Sequence, residues 1–470
     1  MKQKSILIIV ILVGLIVFWL AGRDLRHEQG RIIGAARRIF MVAADKKPVA
    51  VASSLKTNYD LRILDREIHY PFGPQSAVRP IPMPETALLP SLPPLPKTIS
   101  SPYPWESIEN VYLNNARHLS AGKYQEPDKP WILQLGELCP GVTDTPTSGH
   151  YKIWYRVSRD GGKTSGELKP LVQQGKPYNP VHPLDGIWAD KNPACTSAFG
   201  PIVRATNGEI MVPITSSVLG KDGLPENPLN AFFFSYAGVL IGRWVEDGSD
   251  LTWNYSRVGI DARLSTRGLY EPTIVELKRK GEFMMVARGS NDRGIYKYEA
   301  FPGGRFKYTC TGVRDLKSRV AGRKWISFSK DYCRTWSEPK HLTYSDGTEF
   351  FSPSACSTLI RSRKNDRIYW IGNICPENPD GNNPRYPLII GKIDEKSCGL
   401  IKASVLVLDT LNPEHDTPRM ELSNFLVYED PQTGNICVEL YRLDYTQAEA
   451  YTESWQKLAR CWYLIGVPAS

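Results

Sequence analysis

Two stretches of this chain repeat one short pattern, and the repeat restricts the fold more than any other feature. Ser158-Arg159-Asp160-Gly161-Gly162-Lys163-Thr164 and Ser329-Lys330-Asp331-Tyr332-Cys333-Arg334-Thr335-Trp336 both follow Ser-x-Asp-x-Gly-x-Thr-Trp. Ser165 replaces the final Trp in the first copy, and Cys333 replaces Gly in the second. Each copy comes directly after an apolar run, Tyr151 to Val157 and Lys324 to Phe328. A carboxylate and a hydroxyl at this spacing can bond nearby backbone N–H groups, Gly supplies positive φ, and the aromatic packs beneath the turn. The pattern predicts a pinned hairpin turn, which is architecture and not chemistry. A degraded third copy stands at Asp247-Gly248-Ser249-Asp250-Leu251-Thr252-Trp253.

From about Ile108 onward, strand-like runs succeed one another between turn signals, among them Glu209–Ile214, Phe232–Val245, Thr273–Leu277, Glu282–Ala287, Arg367–Ile374, Leu388–Ile393 and Ile436–Leu443. No amphipathic helix interrupts them. Aromatic residues make up 10% of the chain, and Gly and Pro number 37 each, which favours strand over helix. The expected fold is all-β, a propeller with residues 108–468 as one domain. Roughly 360 residues at about 60 per four-stranded blade predict six blades, with five or seven as alternatives. The two clear copies of the repeat then lie three blades apart. The last run, Ala459–Ile465, is expected to close the ring against the first blade.

Ahead of the propeller, Ser5 to Gly22 is the one long apolar run, preceded by Lys2 and Lys4. Its length is near the lower limit for a membrane span and exceeds a usual signal-peptide core, so residues 1–22 read as an uncleaved anchor. Residues 23–107 read as a juxtamembrane arm and linker, helical through Ile32 to Ala43. Eleven prolines within 71–104 imply an extended spacer. Arg23, Arg26, Arg31, Arg37 and Arg38 would hold the following flank in the cytoplasm by the positive-inside rule. An exported, extracytoplasmic propeller is nevertheless expected, because a carbohydrate-acting ring needs external substrates; cleavage of the segment would leave it secreted.

The net charge of +9 is concentrated in residues 1–100, which hold 14 Lys and Arg against 7 Asp and Glu, leaving 44 against 42 for the rest. A near-neutral body argues against nucleic-acid binding. The nine cysteines form no C-x-x-C pair and the seven histidines no H-E-x-x-H, so neither a metal nor another cofactor is expected. Disulfides and buried free thiols are both open.

The segment Ser265-Thr266-Arg267-Gly268-Leu269-Tyr270-Glu271-Pro272-Thr273-Ile274-Val275-Glu276-Leu277 runs on to an apolar strand that ends on Arg288. A guanidinium at the end of such a strand can be aimed into a central depression. Together with the repeated turns, E-P-x-I-V-E-L followed by M-V-A-R resembles the sialidase (neuraminidase) superfamily, whose blades carry this turn as the Asp box. The likeness covers about residues 110–467. It implies that Glu271 partners a nucleophile and that Arg288 belongs to a trio gripping the substrate carboxylate. Arg385, in Asn383-Pro384-Arg385-Tyr386-Pro387, is implied as a second member.

Two departures stand out. Where the family carries its first Arg, this chain reads Phe199-Gly200-Pro201-Ile202, so Arg267 or Arg204 must substitute. The late segment Glu421-Leu422-Ser423-Asn424-Phe425 holds no Tyr; Tyr386 and Tyr441 are the alternatives. A Tyr nucleophile suits sialic acids because a carboxylate would be repelled by the substrate's own, which Arg residues bind bidentately. Asp185 and Asp190, in the loop Pro180–Asn192, are candidate general acids, with turn capping as the plainer alternative. The expected function is an exo-glycosidase removing a terminal acidic sugar. Alternatives are a glycan-binding propeller without turnover, or a hydrolase or lyase for another acidic polysaccharide.

Overall fold

The computed structural model describes residues 61–69 and 112–469, apart from 114–115, 141–151, 190, 193, 197–200, 302–304, 316–319, 414–415, 417 and 445–458. The expected anchor, the arm as far as residue 60 and the Pro-rich spacer lie outside these residues. Among the described residues, no helix is long and apolar enough to cross a membrane.

Five antiparallel sheets follow one another along the chain, so the propeller has five blades and not the six expected. Blade 1 is Ala116–Gln125, Ile132–Pro140, Lys152–Ser158 and Lys169–Pro170, with Tyr112–Leu113 added at its first strand. In blade 2 the first position is split between Ala194–Thr196 and Val203–Arg204, followed by Ile210–Ser216, Tyr236–Trp244 and Leu251–Val258. Blade 3 is Tyr270–Glu276, Phe283–Arg288, Lys324–Ser329 and Lys340–His341. Blade 4 is Thr358–Arg361, Ile368–Asn373, Leu388–Asp394 and Gly399–Leu400, with Leu406–Asp409 also paired to its third strand. Blade 5 is Met420–Glu429, Ile436–Asp444 and Ala459–Gly466, completed by Arg62–His69. Dividing length by blades counted excursions as strands. A separate hairpin, Gly294–Phe301 with Arg305–Val313, is inserted between the second and third strands of blade 3. The two repeats therefore lie two blades apart.

Ring closure also differs from expectation. Ala459–Gly466 sits between Ile436–Asp444 and Arg62–His69 within blade 5, so the fourth strand of the last blade comes from the N-terminal side. Residues 62–69 had been assigned to the arm.

Each junction between consecutive blades from 1 to 5 is filled by its own apolar cluster. Leu133 and Leu135 meet Val212 and Trp253 between blades 1 and 2. Val239 and Met211 meet Ile274 and Met285 between blades 2 and 3, and Val275 and Met284 meet Leu359 and Trp370 between 3 and 4. Between blades 4 and 5, Ile371 and Ile390 meet Phe425 and Tyr463. Side chains alternate across a strand, so in Phe283–Arg288 Met284 and Val286 face one junction while Met285 and Ala287 face the other. Both faces are buried, which is why this strand reads as unbroken apolar sequence.

Both clear repeats form the same pinned turn, after the third strand of blades 1 and 3. Gly162 N–H donates to Ser158 Oγ (2.8 Å), and Thr164 donates to Asp160 from N–H (2.9 Å) and Oγ1 (2.7 Å). Cys333 N–H donates to Ser329 Oγ (2.9 Å), and Thr335 donates to Asp331 from N–H (2.9 Å) and Oγ1 (2.5 Å). Asp247–Gly248 occupies the equivalent turn of blade 2, with Ser249 bonded to Asp247. Cys333 tolerates the position normally held by Gly at φ 65°, its thiol packed in the cluster between blades 2 and 3. Buried carboxylates fasten neighbouring blades at this clip edge: Glu126 accepts from Trp244 (3.0 Å), Glu209 from Arg334 (2.8 Å), Glu276 from Thr206 (2.8 Å) and Glu429 from Arg363 (2.7 Å).

Candidate functional site

Strand register in blade 3 separates the clip from the proposed site. Tyr270 pairs with Arg288 and Arg288 with Lys324 at one edge, while Phe283 pairs with Ser329 at the other. Six residues of strand span about 20 Å, so the pinned turn and Arg288 belong to opposite ends of the blade.

At the Arg288 edge the first strand is bulged between Tyr270 and Thr273. Glu271 there adopts φ 45°, a left-handed conformation costly for a non-glycine residue and further disfavoured before Pro272. Its N–H is held by Thr215 Oγ1 of blade 2 (2.7 Å). Its carboxylate accepts from Arg288 Nη1 at 2.6 Å and from the Cys356 thiol at 2.9 Å. Arg288 is 8% exposed and Glu271 24%, so the carboxylate is the accessible member of the pair. Burial acts to raise the Glu271 carboxyl, but Arg288, the Cys356 thiol and Arg385 outweigh it and hold it below its ordinary value. The Arg288 guanidinium is driven up, the field of Glu271 and its neighbours overcoming burial.

Asn382 joins the arginines of two blades. Its side-chain oxygen accepts from Arg288 Nη2 (3.2 Å) and its backbone carbonyl from Arg385 Nε (3.2 Å). Arg385 also meets Glu421 (2.7 Å) and Ser423 Oγ (3.0 Å) at the start of blade 5. Burial pushes the Glu421 carboxyl up against the opposing pull of Arg385 and Arg288. The Tyr270 ring lies between two guanidiniums, with Arg288 4.6 Å and Arg267 4.9 Å from its centroid. Arg267 also stacks on Phe233 at 3.8 Å. It is buried, yet its Nε has no hydrogen-bond partner. Burial depresses its pKa. Among the described residues it has no ion pair to a carboxylate, and a guanidinium so stacked can donate to an incoming anion.

The structure thus brings together Glu271, Arg288, Arg385 and Arg267; the other expected residues do not join this cluster among the described residues. Arg204 is at the clip edge, paired with Glu126 (2.5 Å). Asp185 has a 60% exposed side chain and pairs with Arg257 (2.8 Å) on the last strand of blade 2, because its loop folds back along that strand. It stands in a turn, and among the described residues it makes no contact with Glu271. Asp190 and Gly200 lie outside the described residues. Tyr386 packs on the core between blades 4 and 5, its hydroxyl directed to the Pro418 carbonyl (3.5 Å). Tyr441 is exposed on the second strand of blade 5. Among the described residues, no tyrosine hydroxyl bonds Glu271; the thiol of Cys356 does so instead. Tyr270 shares its hydroxyl bond with Ser354 (2.5 Å), which also accepts from Arg288 Nε (3.2 Å).

Sequence reasoning missed Lys324, Cys356, Asn382 and Glu421. A lysine heading the apolar strand Lys324–Ser329 was the one available signal. Tyr369 and Trp370 are buried core, and Phe350 packs on Trp370. The seven cysteines with described side chains are free, and all except Cys310 are buried. No cluster of metal-ligating side chains occurs among the described residues.

No family model matches this chain, and no curated protein does. Among solved structures, a Dyadobacter fermentans protein of unknown function aligns at 16% identity over 73% of this chain and 75% of its own, with TM-score 0.43. Trypanosoma rangeli sialidase, in complex with a difluorinated nonulosonic acid, aligns at 12% identity over 71% of this chain and 42% of its own, with TM-score 0.41. The intramolecular trans-sialidase of Ruminococcus gnavus aligns at 15% identity over 67% and 50%, with TM-score 0.38. This chain therefore spans half or less of those two enzymes. Similarity at this level supports no argument about activity; the all-β, five-bladed ring rests on the strand pairing described above.

Proposed function

We propose that this propeller binds a terminal acidic sugar of the sialic-acid class and acts on it as an exo-glycosidase. The observation that carries the proposal is the gathering of Arg267, Arg288 and Arg385 around Tyr270 and Asn382, with the accessible carboxylate of Glu271 among them. Arg267, without an ion pair among the described residues, takes the substrate carboxylate, and Arg288 and Arg385 add field and hydrogen bonds. Glu271, kept ionised by Arg288, serves as the base beside the reacting carbon. In this proposal residues 1–22 tether the ring to a membrane on its exported side.

The test combines calorimetric titration of N-acetylneuraminic acid and its 2,3-unsaturated analogue with an assay of sugar release from sialylated glycans. Expected are saturable binding and release, both weakened at least tenfold in Arg267→Leu. Binding with no release would favour the second reading, a lectin-like propeller. That reading draws on the missing tyrosine partner and on the carboxylates already paired with Arg288 and Arg385. Absence of binding to any acidic sugar would remove both.

A further inference from the structure

The edge of the ring opposite Arg288 carries a cleft between blades 3 and 4. Two turns form its walls: 277–282, joining the first and second strands of blade 3, and 395–398, joining the third and fourth strands of blade 4. Arg367, just ahead of Ile368–Asn373, also lines it. The cleft encloses about 710 Å³, within the roughly 300–1,000 Å³ of small-molecule sites. Leu277, Ile393 and Ile401 give it an apolar patch, and among the described residues no aromatic ring lines it.

Charge is uneven in this recess. Five Lys and Arg line it against three Asp and Glu. Two of the carboxylates are matched: Glu282 pairs with Arg279 (2.8 Å), and Glu395 pairs with Arg361 (2.8 Å), which stands outside the lining. Glu395 also accepts from the Lys278 N–H (3.2 Å), tying the two turns together. Asp394 accepts from Ser397, through N–H (3.0 Å) and Oγ (2.7 Å). Lys278, Arg367 and Lys396 remain without an ion pair among the described residues. Half-buried Lys392 feels Arg367 as a like charge: burial first, then Arg367, pulls its pKa down, with Asp394 opposing. Solvated lysines on an ordinary face spread apart, whereas a recess that gathers like charges focuses their field on an incoming anion.

We propose that this cleft binds a compact organic phosphate or sulfate of sugar size, its ester group held by Lys278, Arg367 and Lys396 and its carbon skeleton lying on Leu277, Ile393 and Ile401. A phosphate or sulfate ester offers three outer oxygens for several cations to share, where a carboxylate offers two. The volume exceeds what a bare ion needs, and a nucleobase would call for an aromatic platform. The Glu271 cluster lies at the other end of blade 3, so the two sites are separate.

The experiment titrates the full chain calorimetrically with glucose 6-phosphate, galactose 6-sulfate, glucose and inorganic phosphate at about 50 mM salt, where screening is weak. The double variant Lys278→Ser/Arg367→Ser and the single variant Lys396→Ser are run beside wild type. All three side chains are exposed, and urea midpoints coincident with wild type show that the fold is kept. Expected is binding of at least one ester, about tenfold or more tighter than inorganic phosphate, with none of glucose. That affinity should fall at least tenfold in the double variant and several-fold in Lys396→Ser. Esters that bind no better than glucose or inorganic phosphate overturn the proposal, and so does equal affinity in wild type and both variants. Cosedimentation with phosphatidylglycerol vesicles, without affinity for either soluble ester, would assign the cations to a membrane surface and overturn it as well. N-acetylneuraminic acid titrated into the same variants reads the Glu271 cluster on its own, so failure here and failure of the sugar proposal are observed separately.

Discussion

Replacing Glu271 by Gln probes the site with the sharpest arithmetic. The change leaves the shape of the side chain and removes its charge, so Arg288, 8% exposed, loses its ion-pair partner. Removing one member of a buried pair costs about 3–5 kcal/mol. Glu271 keeps 24% of its side chain exposed and an amide can still accept one bond from Arg288, which together reduce the expected loss to about 2 kcal/mol at pH 7. The sign of the pH dependence follows from the lowered carboxyl of Glu271. Its contribution is complete above the unfolded value of about 4.3 and is lost as pH falls through the folded value. The gap between wild type and Glu271→Gln in urea denaturation should therefore be full at pH 7 and narrow below about pH 4. The freed Arg288 should meanwhile bind a sugar carboxylate more tightly, by about tenfold, even as release of the sugar stops. Equal urea midpoints at pH 7, or unchanged affinity together with unchanged turnover, would refute the account of this pair.

Further outcomes are expected elsewhere in the ring. Arg267→Leu removes a buried cation that lacks a hydrogen-bond partner at Nε, so thermal stability should hold or rise, while acidic-sugar affinity measured by calorimetry falls by about 1.5–3 kcal/mol. Asp331→Ala releases the bonds to Arg334 and Thr335 in the blade 3 turn and should cost about 1 kcal/mol in urea denaturation, with sugar affinity unchanged because the turn is at the opposite edge. Deletion of residues 62–69 takes the fourth strand from blade 5 and should shift the protein toward aggregate in size-exclusion chromatography, as its pairing with Ala459–Gly466 is lost.

Much of the ring was legible because blade strands impose period-two burial, and the repeated turn writes its hydrogen bonds into side chains. Asp160 and Asp331 announce their clips locally, within seven residues. Blade number was not legible, since nothing local distinguishes the hairpin Gly294–Phe301 and Arg305–Val313 from a pair of blade strands. The fourth strand of blade 5 escaped for a related reason: Arg62–His69 meets its partner across almost the whole length of the chain. At the site, Glu271 and Arg288 could be read together because they lie on adjacent strands of one hairpin. Cys356, Asn382 and Glu421 arrive from blades 4 and 5, where only the ring brings them close, and a thiol or an amide carries no pattern of its own. The pairing of Asp185 with Arg257 follows from how a loop folds back, which spacing does not encode.

The position of Arg62–His69 has a consequence for how the chain is made. This strand leaves the ribosome long before its one described partner, Ala459–Gly466, is translated. Until that partner is made it is an open edge able to recruit wrong neighbours. Its sequence, with Arg62, Asp65, Arg66 and Glu67 spread among Ile63, Leu64 and Ile68, is well suited to that wait. Alternating charge discourages premature pairing, and the late strand supplies the register that finally locks the seam.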